Sequence, residues 1–264
     1  MIRIAAVGDL HAGSDTADVL RDQLGEVSQK ADVLLIAGDL TKSGRPEEAR
    51  VLARELADVS VPVVAVLGNH DHHADRPEEI ASLLRDVGVA VLEGQSIRID
   101  TAGGSVGVAG VKGFGGGFPG ASGAEFGEPE MKAFIRHTKE RAEALGSALA
   151  SLETDVRVAL MHYAPIRETL RGEPPEIFPF LGSYLLAEAV DRSGADLVVH
   201  GHAHRGSEHG VTPGGVIVRN VAQTVIRQVY AVYGFETATR PREPATTGAP
   251  TARAVAPMRT NTDR

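Results

Sequence analysis

Eight residues with metal or acid–base chemistry fall at equivalent places along the chain. Asp9 and His11 follow an apolar run at 2–8, Asp39 follows one at 32–38, and Asn69 and His70 follow one at 61–68. His162 closes a run at 156–162, while His202 and His204 close and follow one at 196–202. Short aliphatic and β-branched runs read as strands, so each of these residues stands at a strand's carboxyl end. In a layered α/β protein those ends converge on one edge, where residues distant in sequence share a cavity. Neutral imidazoles suit transition ions, carboxylates bring negative charge and an Asn carbonyl adds a neutral oxygen. The set therefore describes mixed nitrogen and oxygen coordination of Mn, Fe, Zn or a similar ion. Asp9, His11, Asp39, Asn69, His162, His202 and His204 are too many for one ion. Shared between two, with one carboxylate bridging, they make a dinuclear site whose ions lie roughly 3.5 to 4 Å apart.

Taken singly, each residue has a plainer reading. Asp9 and Asp39 could cap the helix that follows, Asn69 could occupy a left-handed turn, and His162 could be a hydrogen-bonded core histidine. Their joint placement at strand ends is what favours the metal. The other histidines lack that support. His200 should face away from the His202/His204 pair by strand alternation and serve a structural or supporting role. His137, on an Arg/Lys-rich helix, and His209, in a turn region, read as surface residues, and His72 and His73 belong either to the rim of the site or to solvent.

The elements that must position these residues follow from the same pattern. Between the first three strands, residues 15–30, 46–58 and 76–87 read as helices, the last two opening at Arg-Pro-Glu-Glu, where Pro and acids suit a first turn. Residues 96–100 and 105–113 flank a Gly-Gly turn and read as a hairpin, which makes the sheet mixed. Helices are expected from 129 to 150 and from 182 to 193, and closing strands at 216–222 and 226–236. The loop at 113–123 matches G-x-G-x-x-G at Gly115, Gly117 and Gly120, but Pro119 intrudes and no helix follows at once. That argues for a flexible loop near the site rather than a dinucleotide fingerprint. Phe114 and Phe118 could cover a substrate base or acyl group, or tuck into the local core. Beyond residue 236 the chain is rich in Pro, Thr, Ala and Arg, so the expected organisation is one domain over 1–236 and a disordered tail over 237–264.

Composition removes other classes. The 264 residues are 42% hydrophobic, enough for a substantial buried core. There is no cysteine, hence no disulfide, thiolate zinc site, iron–sulfur cluster or cysteine nucleophile. The 27 basic and 35 acidic side chains give a charge of -8; five of the bases and two of the acids lie beyond Ala238, leaving 22 against 33 before it. An acidic body does not grip nucleic acid through a basic surface. The N-terminal apolar run reaches Asp9 too soon for a signal-peptide core, and no run is long enough for a membrane span, so a cytoplasmic protein is expected.

The ordered blocks Asp9-x-His11, Gly38-Asp39, Gly68-Asn69-His70-Asp71, the lone His162 and Gly201-His202-x-His204 together resemble the calcineurin-like metallophosphoesterase family. The departures are small: Met161 rather than Gly precedes the lone His, and His72 and His73 extend the third block. The resemblance implies an α/β fold, a layered α/β/β/α sandwich with mixed β-sheets and the metal site at strand carboxyl ends. It implies two divalent ions, one held by Asp9, His11, Asp39 and His204 and the other by Asp39, Asn69, His162 and His202, with Asp39 bridging. His70 then becomes the acid that protonates the leaving oxygen, and Asp71 the acidic partner that orients its imidazole.

Two divalent ions less Asp9, Asp39 and a bridging hydroxide leave a site of about +1, which attracts a phosphate anion. The expected reaction is attack of that hydroxide on phosphorus, in line with the departing group. A single catalytic His suits a poor alkoxide leaving group and no large cap is evident, so the expected substrate is a small nucleotide-like or metabolite phosphodiester, with monoesters as the alternative. Two further alternatives are a nuclease of the same family and a silent scaffold with the same fold, which could lose ligands; this chain has all seven.

Overall fold

Along the strand Val156–Met161, Val156, Val158 and Leu160 enter one apolar core, while Ala159 and Met161 enter another. A two-residue period with both faces apolar is what a sheet covered on both sides requires. The structure, a computed structural model, describes residues 1–17 and 19–237. Residues 238–264, to which all but the first residue of the expected disordered tail belongs, lie outside the described residues.

Among the described residues thirteen strands and eight α-helices follow one another. The first sheet has the order β13 (Ala231–Phe235), β1 (Ile2–Val7), β2 (Val33–Ala37), β3 (Val63–Val66) and β4 (Ala90–Leu92). β1 to β4 are parallel and β13 is antiparallel to β1. The second sheet has the order β11 (His209–Val211), β12 (Ile217–Asn220), β10 (Leu197–His200), β9 (Val156–Met161), β6 (Gly104–Val111) and β5 (Gln95–Thr101). Its four central strands are parallel and the two edge strands antiparallel. β7 (Gly117–Phe118) and β8 (Ala121–Ser122) form a separate small hairpin.

Between the sheets Val64, Val66, Val106, Val108, Val158 and Val199 share one cluster. Helices cover the outer faces. α1 (Val19–Leu24), α2 (Val27–Lys30), α3 (Pro46–Leu56) and α4 (Pro77–Arg85) flank the first sheet. Leu52, Leu56, Ile80 and Leu84, at helical spacing, join the same cluster as its strands, each contributing about 1.5–3 kcal/mol by burial. α5 (Pro129–Ala150) and α7 (Tyr184–Ser193) cover the second sheet through Leu145, Leu149, Leu186 and Val190. The result is the expected α/β/β/α arrangement with two mixed sheets. α6 (Phe178–Leu181) and α8 (Gln223–Ile226) are single turns in the loops.

The predicted elements differ from these in several places, among them the β7–β8 hairpin within the loop expected at 113–123. The helix expected over 15–30 is two short pieces, because Gly25, a poor helix former, falls between α1 and α2. The strand expected over 226–236 starts only at Ala231; Ile226 enters the inter-sheet core from α8, and Arg227 at φ 51° then turns the chain. β4 and β11, each three residues long, had no period long enough to read. Among the described residues no helix is long and apolar enough to cross a membrane.

Candidate metal centre

The loops after β1, β2, β3, β9 and β10 meet at one edge of the sandwich, and their backbone is shaped to turn side chains inward. Asp9, His11, Asp39 and His202 have positive φ, at 60°, 45°, 48° and 69°. Each such residue costs about 1–2 kcal/mol, and strain of this kind collects at functional sites. Cross-loop bonds hold it. Asp9 N–H donates to the Gly38 carbonyl (3.0 Å), His11 N–H to the Asp39 carbonyl (3.0 Å), and His70 N–H to Asp39 Oδ1 (2.8 Å). Two glycines pack against the carboxylates: a Cβ at Gly68 would lie 2.1 Å from Asp39 Oδ1, and one at Gly201 2.5 Å from Asp9 Oδ2.

Donor atoms gather in two sets that share one residue. Asp9, His11, Asp39 and His204 bring ligand atoms within 4.8 Å of one another, and so do Asp39, His162 and His202. The Asp39 oxygens divide between them: Oδ2 lies 3.9 Å from His11 Nε2, and Oδ1 lies 3.3 Å from His162 Nε2. Asn69 joins the second set, its Oδ1 2.9 Å from His162 Nε2. The tautomer of His162 follows from its other nitrogen, which lies 2.9 Å from the Ala37 carbonyl and carries the proton. The Nε2 lone pair therefore faces two oxygens with no proton between them, an arrangement that a cation satisfies. Asp9 and Asp39 are 4% and 1% exposed, and among the described residues neither is ion-paired with Lys or Arg. Buried carboxylates met by backbone N–H groups and imidazoles but by no cationic side chain fit divalent ions well.

Protonation supports this reading. Burial holds His162 well below the usual histidine range and pushes His202 down to about 3, so both present lone pairs. His204 is raised by its 2.8 Å bond to Asp9 Oδ1, and burial raises Asp9. A proton shared there is one that metal binding would displace.

His70 belongs to neither donor set. Its side chain is 43% exposed at the mouth of the site, with Nε2 3.9 Å from Asp39 Oδ2 and Nδ1 2.8 Å from the Lys42 carbonyl. That carbonyl, not Asp71, fixes its ring. Asp71 is fully buried, and its carboxylate accepts from the N–H groups of Gly68, Leu40 and Thr41 and from the Thr41 hydroxyl, at 2.6–3.1 Å. The role implied for it, orienting the imidazole, is corrected: with four donors on its carboxylate, Asp71 ties the β2 loop to the β3 loop. Burial pushes its pKa up to about 6, against those four bonds.

The remaining histidines divide. His200 is fully buried with both nitrogens engaged, Nδ1 with the Gly201 carbonyl and Nε2 with Thr169 Oγ1, each at 2.8 Å, so its role is structural as expected. His209 is exposed. His137 is half-buried, with its ring edge-on to Phe114 at 4.7 Å, and lines a cavity with Lys112 and Arg141. The surface reading is wrong for His137. His72 and His73 are both exposed, and His72 also lines that cavity. Phe118 is 2% exposed and packs with Leu170 and Leu181, so it tucks into the core; Phe114 packs at a tilt against the rings of Phe134 and Tyr163. Sequence reasoning missed Lys112. The signal was available: it directly follows β6, the placement that identified the ligands.

The sequence pattern of the calcineurin-like phosphoesterases matches residues 2–206. The chain belongs to that family. It is therefore a hydrolase acting on phosphoester bonds. A phosphopantetheinyl hydrolase (PptH) from Mycobacterium tuberculosis superposes with a TM-score of 0.65 at 17% identity, covering 91% of this phosphoesterase and 97% of that chain. The protein TT1561 of Thermus thermophilus does so with a TM-score of 0.53 at 19% identity, covering 84% and 91%. At such identities the likeness concerns the fold. Over 80 residues the phosphoesterase is 34% identical to the glycerophosphodiester phosphodiesterase GpdQ of Enterobacter lignolyticus (strain SCF1), a segment that makes up 30% of this chain and 28% of that protein.

Proposed function

We propose that this phosphoesterase hydrolyses a small nucleotide-like or metabolite phosphodiester. Asp9, His11, Asp39 and His204 would hold one divalent ion, and Asp39, Asn69, His162 and His202 the other, drawn from Mn, Fe or Zn. The observation that carries the proposal is the pair of donor sets meeting at Asp39, with His70 beside them but outside both. Such ions, when bound, acidify water and neutralise the charge of a phosphate. The chain's own residues do the rest. Asp39 belongs to both sets, and the Lys42 carbonyl accepts a hydrogen bond from Nδ1–H of His70. In its protonated, imidazolium form His70 keeps that bond and carries a second proton on Nε2, 3.9 Å from Asp39 Oδ2, placed to pass to a departing alkoxide. The partial likeness to a phosphodiesterase supports a diester.

The test uses bis-p-nitrophenyl phosphate and manganese. His70→Ala should keep bound metal and lose little kcat with this substrate, whose nitrophenolate departs without a proton, but about 100-fold or more with an alkyl diester. Full activity of His70→Ala toward an alkyl diester would remove His70 from the reaction.

A further inference from the structure

On the His162 and His202 side of the centre lies a cavity of about 260 Å³ that the proposed reaction leaves unused, lined by Lys112, Arg141, His137, His72 and Glu93 among others. Lys112 is 8% exposed. Among the described residues its ammonium has no hydrogen bond and no ion pair; it rests over the rings of Phe114 and Tyr163, at 4.9 and 5.4 Å from their centroids. Two aromatic faces give a buried ammonium less than a counter-ion does. Glu93 is near but forms no ion pair with that ammonium: one of its oxygens accepts the Lys112 backbone N–H (2.9 Å) and the other accepts from Arg141 Nη1 (3.0 Å). Arg141 Nε is itself buried without a partner.

Lys112 and Arg141, each with an unspent donor, thus line one pocket together with Arg85, which bonds the Val91 carbonyl, so three cations outnumber the two carboxylates, Glu78 and Glu93, and His72 and His137 add ring nitrogens. Burial lowers the Lys112 pKa, with Arg141 adding to the effect, while Glu93 and Asp39 oppose it. An incoming anion would relieve both the desolvation and the repulsion. Lysine as a point charge together with an arginine edge and imidazole donors suits a compact, multiply charged oxyanion, and a phosphate monoester fits that description. The position suits a substrate. Tyr163, beneath the Lys112 ammonium, has its ring 4.4 Å from that of His202 and 5.6 Å from that of His162, so the pocket begins one aromatic ring away from the second donor set.

We propose that the Lys112–Arg141 pocket binds a second phosphate group carried by the substrate, making this enzyme selective for phosphodiesters that also bear a phosphate monoester. This inference rests on the phosphodiesterase reading and narrows its substrate class.

The test is calorimetric titration of the metal-loaded full chain with thymidine 5′-monophosphate and with thymidine 3′,5′-bisphosphate. The bisphosphate should bind about tenfold more tightly or better, and Lys112→Met, which keeps the apolar stem, should reduce that advantage to within about twofold. Arg141→Gln should reduce it as well. Equal affinities in the wild type, or an advantage that survives both substitutions, would overturn the proposal. Turnover is read separately. Tight bisphosphate binding without hydrolysis of any diester keeps the pocket and sinks the phosphodiesterase reading; diester hydrolysis without the preference does the reverse.

Discussion

Gly68→Ala is the smallest perturbation that reaches the shared carboxylate. An added Cβ would lie 2.1 Å from Asp39 Oδ1, 2.2 Å from Asp39 N and 2.8 Å from its Cγ. Gly68 does not lie in the left-handed region, so alanine suits the backbone and the whole cost is the collision. Non-bonded contact needs roughly 3.5 Å, so Asp39 must move by more than about 1 Å. Overpacking of this kind costs about 1–3 kcal/mol of stability, and a displacement of about 1 Å at a reacting centre costs about 100-fold in rate. Both donor sets contain Asp39, so affinity for both ions should fall together. The assay is metal content on the folded variant, with kcat/KM for bis-p-nitrophenyl phosphate. Gly88→Ala is the control. Gly88 has φ +88° with nothing within 4 Å of a built Cβ, so alanine there should cost about 1–2 kcal/mol and leave the rate alone. A folded Gly68→Ala enzyme with two ions and wild-type turnover would refute the reasoning.

Asp71→Ala strips four buried donors of their acceptor and should cost about 3 kcal/mol, read as a Tm lower by roughly 6 to 12 °C, whereas mere orientation of His70 predicts a loss of rate with Tm unchanged. Dialysis against EDTA should abolish turnover and, by removing ligands of the native state, lower Tm by roughly 5 to 10 °C, with both restored by manganese.

The donor positions were legible because each sits just after a strand whose apolar run is unmistakable, and strand ends in such a fold share an edge. His204 and Asp9, 195 residues apart, meet at 2.8 Å for that reason. Partners that carry no side-chain identity were not legible. The carbonyl of Lys42 that holds His70 could be any residue's carbonyl, and only the register of the loops brings it there. Asp71 was misread because its sequence neighbour is the acid, while its bonds run to Leu40 and Thr41, some thirty residues earlier. His137 looked exposed on a helix rich in charge because Phe114, which half-buries it, belongs to a distant loop. The breaks at Gly25 and Arg227 were hidden in apolar patterns continuous enough to suggest longer elements.

Metal stoichiometry tests the central claim most directly. Titrating manganese into the metal-depleted chain should give two equivalents bound; His11→Ala and His162→Ala should each weaken a different one, and Asp39→Asn should weaken both. One equivalent in the wild type, or two tight equivalents in Asp39→Asn, would contradict a centre built on a shared carboxylate.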